Sequence, residues 1–178
     1  VQAVATYQPK IVEGGVLVAE GLKFDGVDDY LEHLGALSTS GAVDTTVVVA
    51  TFHSLIGDTV LVDNTETTSD HAIYGSSSSF GLYAGVQTDM SYGPSNLNTN
   101  LHFLFKGVNN DSYGSINGAV DALNTGTEGY GNGVRIGNSR SKNHPLDGTI
   151  SEVIIYDSDQ SAFRKNIEFN INNAYSIY

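Results

Sequence analysis

The sequence predicts an all-β protein, with two antiparallel sheets stacked face to face and one helix closing them at the C-terminal end. Three observations carry this. Short apolar runs recur between clusters of Gly, Asn, Asp and Ser, the pattern of a sandwich or barrel. The chain holds 20 Gly, 10 Tyr and 7 Phe against 3 Pro and 1 Met, a mixture that favours strands over helices. Near the end, Phe163, Ile167 and Ile171 recur every four residues, which is one stripe of a helix.

The elements follow in order. Residues 22–24 and 30–34 flank an Asp/Gly turn. Residues 45–52 (TTVVVATF) are apolar without alternation, as in a strand buried on both faces. Residues 59–62, 71–74 and 80–84 are shorter strands. In 101–108, Leu101, Phe103 and Phe105 share one face and His102 and Lys106 the other. Asn117-Gly118 suits a two-residue type I′ hairpin between 112–116 and 119–123, because both residues tolerate positive φ. Asn132-Gly133 is a second turn, leading into 134–136. Residues 150–156 (ISEVIIY) are apolar on both faces and need cover on both sides. The predicted helix, residues 159–173, supplies it, with Ser158 or Asp159 as the cap. The Asn/Ser/Gly-rich stretch 85–100 is read as a hairpin and a long loop.

Length and charge narrow the function. With 178 residues there is room for one domain with a full core, so the expected unit spans 1–178. A net charge of −12 repels phosphate backbones and acidic lipid, which argues against nucleic acid as a partner. The absence of cysteine excludes disulfides and thiolate metal sites. No apolar run reaches the ~18 residues of a membrane helix. The chain begins at Val1 rather than Met, so a longer or processed polypeptide is expected.

Residues 22–31 (LKFDGVDDYL) resemble the opening strand-turn-strand of concanavalin A-like, laminin-G-like jelly-roll domains. Residues 148–156 (GTISEVIIY) resemble their closing strand, and the Asn117-Gly118 hairpin followed by Val134-Arg135-Ile136-Gly137 keeps their order. The ending, Ser158-Asp159-Gln160-Ser161 with Arg164, Ile167-Glu168, Asn170-Ile171-Asn172 and Tyr175, is similar to a tail found in phage-encoded and marine bacterial versions. The resemblance implies a virion or cell-surface module: a tail-fibre, spike or head-decoration domain. A more distant likeness is to the sandwich domain of arabinofuranosidase B-type glycoside hydrolases, which place a nucleophilic Glu before Ala-Ile-Tyr. Here Ala72-Ile73-Tyr74 follows His71, with Asp70 before it. An imidazole cannot form the glycosyl ester that a carboxylate forms.

Candidate site residues are sparse. Hydrolysis of a glycoside needs two carboxylates on one cleft, and the isolated Asp70, Asp89 and Glu152 fall on separate elements. The chain is therefore expected not to be an enzyme. Asp25, Asp28 and Asp29 offer the oxygens that calcium prefers, although Asp and Gly also build such a turn unaided. Arg135, Arg140, Lys142 and His144 form a basic cluster in an acidic chain, suited to an acidic glycan or an acidic neighbouring subunit, with Arg140, Lys142 and His144 as the candidate binding residues. Tyr92, Asn96, Tyr130 and Asn132 combine Tyr with Asn near Gly-rich loops, a chemistry that binds sugars or proteins at low entropic cost. The expected function is a surface module of a virus particle, extracellular or on the virion, acting in assembly or adhesion to host glycans. Its expected partners are other subunits, including copies of itself, and glycans. The alternatives are a carbohydrate-binding module of a secreted bacterial protein and a degenerate arabinofuranosidase-like hydrolase.

Overall fold

Among the described residues, fourteen strands and one α-helix follow in order: β1 (Val12–Glu13), β2 (Val16–Leu17), β3 (Leu22–Asp25), β4 (Leu31–Leu34), β5 (Asp44–Ser54), β6 (Thr59–Asn64), β7 (His71–Gly75), β8 (Phe80–Ala84), β9 (Gln87–Asp89), β10 (Leu101–Gly107), β11 (Ser112–Ile116), β12 (Ala119–Leu123), β13 (Gly133–Ile136), β14 (Asp147–Tyr156) and α1 (Arg164–Tyr175). The structure is a computed structural model. It describes residues 4–18, 21–35, 37, 43–66, 71–91, 101–107 and 112–178, with 17 and 101–107 described by backbone alone.

Two six-stranded sheets form the sandwich, in the orders β12-β11-β10-β5-β14-β3 and β4-β13-β6-β7-β8-β9. Every described pairing is antiparallel. β1 and β2 form a separate hairpin. The predicted sandwich with one C-terminal helix is the observed fold. Asn117-Gly118 turns as expected, with φ of 51° and 81°.

The core fills the space between the sheets with Phe24, Val48, Phe52, Leu61, Val62, Ile73, Leu82 and Ile150 among its members. β5 is buried along nine successive residues, because its other face carries Val47 and Val49 against the helix. β14 does the same. A bulge between Ile150 and Glu152 rephases the strand, so Ile150, Val153 and Ile155 enter the core while Ile154 and Tyr156 meet the helix.

The helix starts later than the sequence implies, after a 3-10 turn at Ser161–Phe163. The Asp159 carboxylate accepts the amide of Ser161 at 2.7 Å and opens that turn rather than capping α1. Phe163 thus falls outside the stripe and is 57% exposed. Ile171 is buried, Ile167 packs beside it, and Glu168 takes a buried place too. The Glu168 carboxylate tolerates burial because it accepts Ser115 Oγ at 2.5 Å and Arg164 Nη1 at 2.7 Å.

Three connections cross between the sheets at one end: residues 26–30 join β3 to β4, residues 55–58 join β5 to β6, and residues 137–146 join β13 to β14. Hydrogen bonds lace them together: Gly26 N to Leu146 O at 2.9 Å, and Val60 N to His144 O at 3.1 Å.

Candidate functional site

At this end the outer face of the second sheet carries a cleft of about 210 Å³. The sheet supplies Val60, Asp63, Ala72, Tyr74, Tyr83 and Gln87. The crossing connections supply Asp58, Ser139, Arg140, Ser141 and His144.

Local sequence explains each placement. In β7, strict alternation sends Ile73 into the core and Ala72 and Tyr74 outward. In β6, a bulge between Val60 and Val62 sends both Leu61 and Val62 inward. Without that extra residue Asp63 would point into the core; with it, Asp63 lines the cleft beside Val60. Opposite Tyr74 stands Gly81, whose missing side chain leaves room for the Tyr74 hydroxyl. That hydroxyl donates to Asp89 and takes a hydrogen bond from Gln87. Burial and the Asp89 bond push the Tyr74 phenol well up, so it stays a neutral donor.

The 138–144 loop is held from below. Arg135, 5% exposed, donates from Nε to Glu32 Oε2 at 2.9 Å and from Nη1 to the carbonyls of Ser139 and Arg140 at 2.8 and 2.5 Å. Its guanidinium lies 4.8 Å from the centre of the Tyr30 ring. Asn138 Oδ1 accepts the amides of Ser139 and His144 at 2.9 and 3.2 Å. Asp63 Oδ2 accepts the amide of Arg140 at 2.6 Å. Burial raises the Asp63 carboxyl above its usual range, although hydrogen bonds from the Arg140 and Asn64 amides work against the shift. The result is a polar wall braced by its own hydrogen bonds.

The predicted residues fall in different places. Arg140 and His144 line the cleft. Lys142 sits on the far side of the loop, with Nζ 4.9 Å from the centre of the Tyr30 ring. Tyr130 is fully buried; its hydroxyl meets Thr46 Oγ1 at 2.8 Å and its ring stacks on His71. A ring enclosed in the core cannot contact a ligand, which corrects its assignment as a binding residue. Asn132 is exposed, but it precedes β13 while the cleft loop follows it, so it stands at the opposite end of that strand. Tyr92, Asn96 and Asp70 lie outside the described residues. Asp58, Asp63, Tyr74 and Gln87 are cleft residues that the sequence reading did not select. The alternation of residues 71–75 was the available signal for Tyr74. The expectation that no two carboxylates share a cleft is also corrected: Asp58 and Asp63 do, brought together by the β5–β6 connection and the β6 bulge.

Asp25, Asp28 and Asp29 each bring a carboxylate oxygen within 4.8 Å of the others, close enough for a hard cation. Their hydrogen bonds describe a turn instead. Asp25 Oδ1 accepts the amides of Val27 and Asp28 at 2.9 and 3.4 Å, and Asp29 Oδ2 accepts the amide of Asp25 at 3.0 Å. Burial, then the charge of Asp25, pushes the Asp29 carboxyl up to about 6. These turn bonds use one oxygen each of Asp25 and Asp29, so the cluster stays a candidate for a hard cation such as calcium.

The fold is an antiparallel jelly-roll β-sandwich with one C-terminal helix. No family model matches the chain, and no curated protein matches it in sequence. Solved structures do. Trypanosoma rangeli sialidase is similar at a TM-score of 0.65 and 16% identity, over 87% of this chain and 28% of that one. A heptameric SAP-like pentraxin from Limulus polyphemus is similar at 0.61 and 13% identity, over 80% of this chain and 77% of that one. The NanB sialidase of Streptococcus pneumoniae is similar at 0.60 and 13% identity, over 82% of this chain and 27% of that one. The chain thus spans little more than a quarter of the length of these sialidases. The expectation that it is not an enzyme is overturned by these matches, since the sialidase chains that contain this fold are enzymes. At such identities the likeness establishes the fold.

Proposed function

We propose that this chain is a glycan-binding β-sandwich and that its sugar site is the cleft between β6–β9 and the 138–144 loop. One observation carries the reading. Two tyrosines, Tyr74 and Tyr83, stand among hydrogen-bonding groups of several kinds, Asp58, Gln87, Ser141 and Arg140, on a rigid sheet and a pinned loop. Aromatic faces stack on the C–H faces of sugars, and fixed polar groups read the hydroxyls. Support comes from neighbours of the same fold, one of them a Trypanosoma rangeli sialidase solved in complex with sialic acid.

The test is a glycan array followed by calorimetry. Selective binding that falls at least ~10-fold in Tyr83→Ala, with the circular dichroism spectrum unchanged, supports the reading. Binding that survives Tyr83→Ala at full strength places the site elsewhere.

Display in many copies on a virus particle is a finer reading. It is supported by the resemblance of residues 158–175 to phage-encoded tails, and self-association by the heptameric pentraxin neighbour. Light scattering on the purified chain and co-sedimentation with particles test it; a monomer that never sediments with particles counts against it.

A further inference from the structure

Resting on that reading, we infer that the cleft selects an uncharged sugar with adjacent hydroxyls and discriminates against acidic ones. The argument is the charge that faces the ligand. Asp58 is exposed at the cleft edge, Asp63 lines the wall, and Asp89 stands behind Tyr74, whose hydroxyl it accepts. Among the described residues that line the cleft, the carboxylates of Asp58 and Asp63 meet one guanidinium, that of Arg140, and Asp89 adds its charge from behind Tyr74. Arg140 is itself anchored: its amide donates to Asp63 at 2.6 Å and its Nη1 to the carbonyl of Glu66 at 3.4 Å. His144 Nδ1 lies 3.3 Å from the carbonyl of Asp58.

The other cations of this region point away. The groups that made the loop look like an anion site in the sequence, Arg135 and Lys142, both lie over the Tyr30 ring, and Arg135 is bonded to Glu32. Only Arg140 and His144 of the basic cluster therefore reach the cleft. A sialic or uronic acid would add another carboxylate to this set, in a chain of net charge −12. A neutral sugar meets complementary groups instead. Its hydroxyls donate to the Asp58 carboxylate, which presents two oxygens and suits a pair of neighbouring hydroxyls. Gln87 can give and accept, Ser141 Oγ can accept because its own proton goes to Asn143 Oδ1 at 2.6 Å, and the Tyr83 ring offers a face for stacking.

The test titrates the purified chain with neutral disaccharides (lactose, maltose, cellobiose and xylobiose) and with sialylated or glucuronylated counterparts. At least one neutral sugar is expected to bind ~10-fold or more tightly than its acidic counterpart, and to keep its affinity between about 0.05 M and about 0.5 M salt. Asp58→Asn is expected to weaken the neutral sugar ~10-fold and to narrow the gap to the acidic one. Asp58 and Gln87 are both exposed, so Gln87→Ala gives a second variant with an intact fold and the same expected loss. Equal or tighter binding of the acidic sugar, or no effect of either variant, overturns this inference while leaving the glycan reading in place. Failure of every sugar to bind removes both.

Discussion

Replacing Asp29 by Asn isolates one buried carboxyl and makes a signed prediction. Asp29 is 3% exposed, and its Oδ2 accepts the amide of Asp25 at 3.0 Å. Burial and the nearby charge of Asp25 raise it from 3.8 to about 6. Between those two values the folded chain holds a proton that the unfolded chain has released. Stability therefore falls as pH rises from about 4 to about 6, and the loss is complete above that window. A shift of about two units corresponds to ~3 kcal/mol at face value. Asp29 itself is enclosed, but its neighbours Asp25 and Val27 are exposed, and solvent screening through them reduces this to ~1–2 kcal/mol. Asparagine keeps an oxygen for the Asp25 amide and removes the charge. Asp29→Asn is expected to be more stable than the parent by ~1–2 kcal/mol at pH 7.5, equal to it near pH 4, and flatter in between. For a chain of this size that is a rise of about 3–6 °C in Tm. Thermal melts at four pH values, each with chelator and with calcium, make the measurement. A variant that is less stable than the parent in chelator at pH 7.5, or that keeps the parent's pH slope, refutes the reasoning. A calcium-dependent gain in the parent that the variant lacks would establish calcium binding at this turn.

Other outcomes are equally definite. Arg135→Lys keeps the charge but loses the fork that reaches Glu32 and two loop carbonyls; it should destabilise by ~2–4 kcal/mol in urea melts and abolish sugar binding, by freeing the 138–144 loop. Gly81→Ala places a methyl group against the Tyr74 hydroxyl and 2.7 Å from the Thr88 carbonyl; it should cost ~1–3 kcal/mol and weaken the sugar, whereas unchanged affinity would mean that Tyr74 is not part of the site. Removal of residues 158–178 strips the cover from Val47, Val49, Ile154 and Tyr156, so the shortened chain should aggregate in light scattering.

The sandwich was legible because its rules are local. Unbroken apolar runs at 45–52 and 150–156 announced strands covered on both faces, and Asn117-Gly118 announced its own turn. The helix boundary was less so. Phe163 has the right spacing to Ile167 and Ile171, yet Gln160 N bonds to Thr45 Oγ1 at 3.0 Å and Thr45 Oγ1 to Ser158 O at 3.2 Å, which ties the connection to β5. That long-range tether lets the helix begin only after Phe163. Glu168 in a buried place was not readable at all, because its partner Ser115 is 53 residues away.

The cleft was harder still, for a physical reason. Its residues come from β6, β7, β8, β9 and two connections, and the bond that joins sheet to loop, the Arg140 amide to Asp63, spans 77 residues. Asp63 faces the cleft only because β6 carries an extra residue between Val60 and Val62, and a bulge of this kind leaves no mark in Thr59–Asn64 that alternation alone can detect. The basic cluster misled in the opposite direction. Composition placed Arg135, Arg140 and Lys142 near one another and suggested an anion site. The fold uses Arg135 as a strut under the loop and lays Lys142 over Tyr30. A positive patch in sequence thus became an internal scaffold, and the face it supports sets the carboxylates of Asp58 and Asp63 against a single guanidinium. Charge clustering along a chain reports proximity, whereas ligand charge is set by which side chains remain pointed outward once the scaffold has been built.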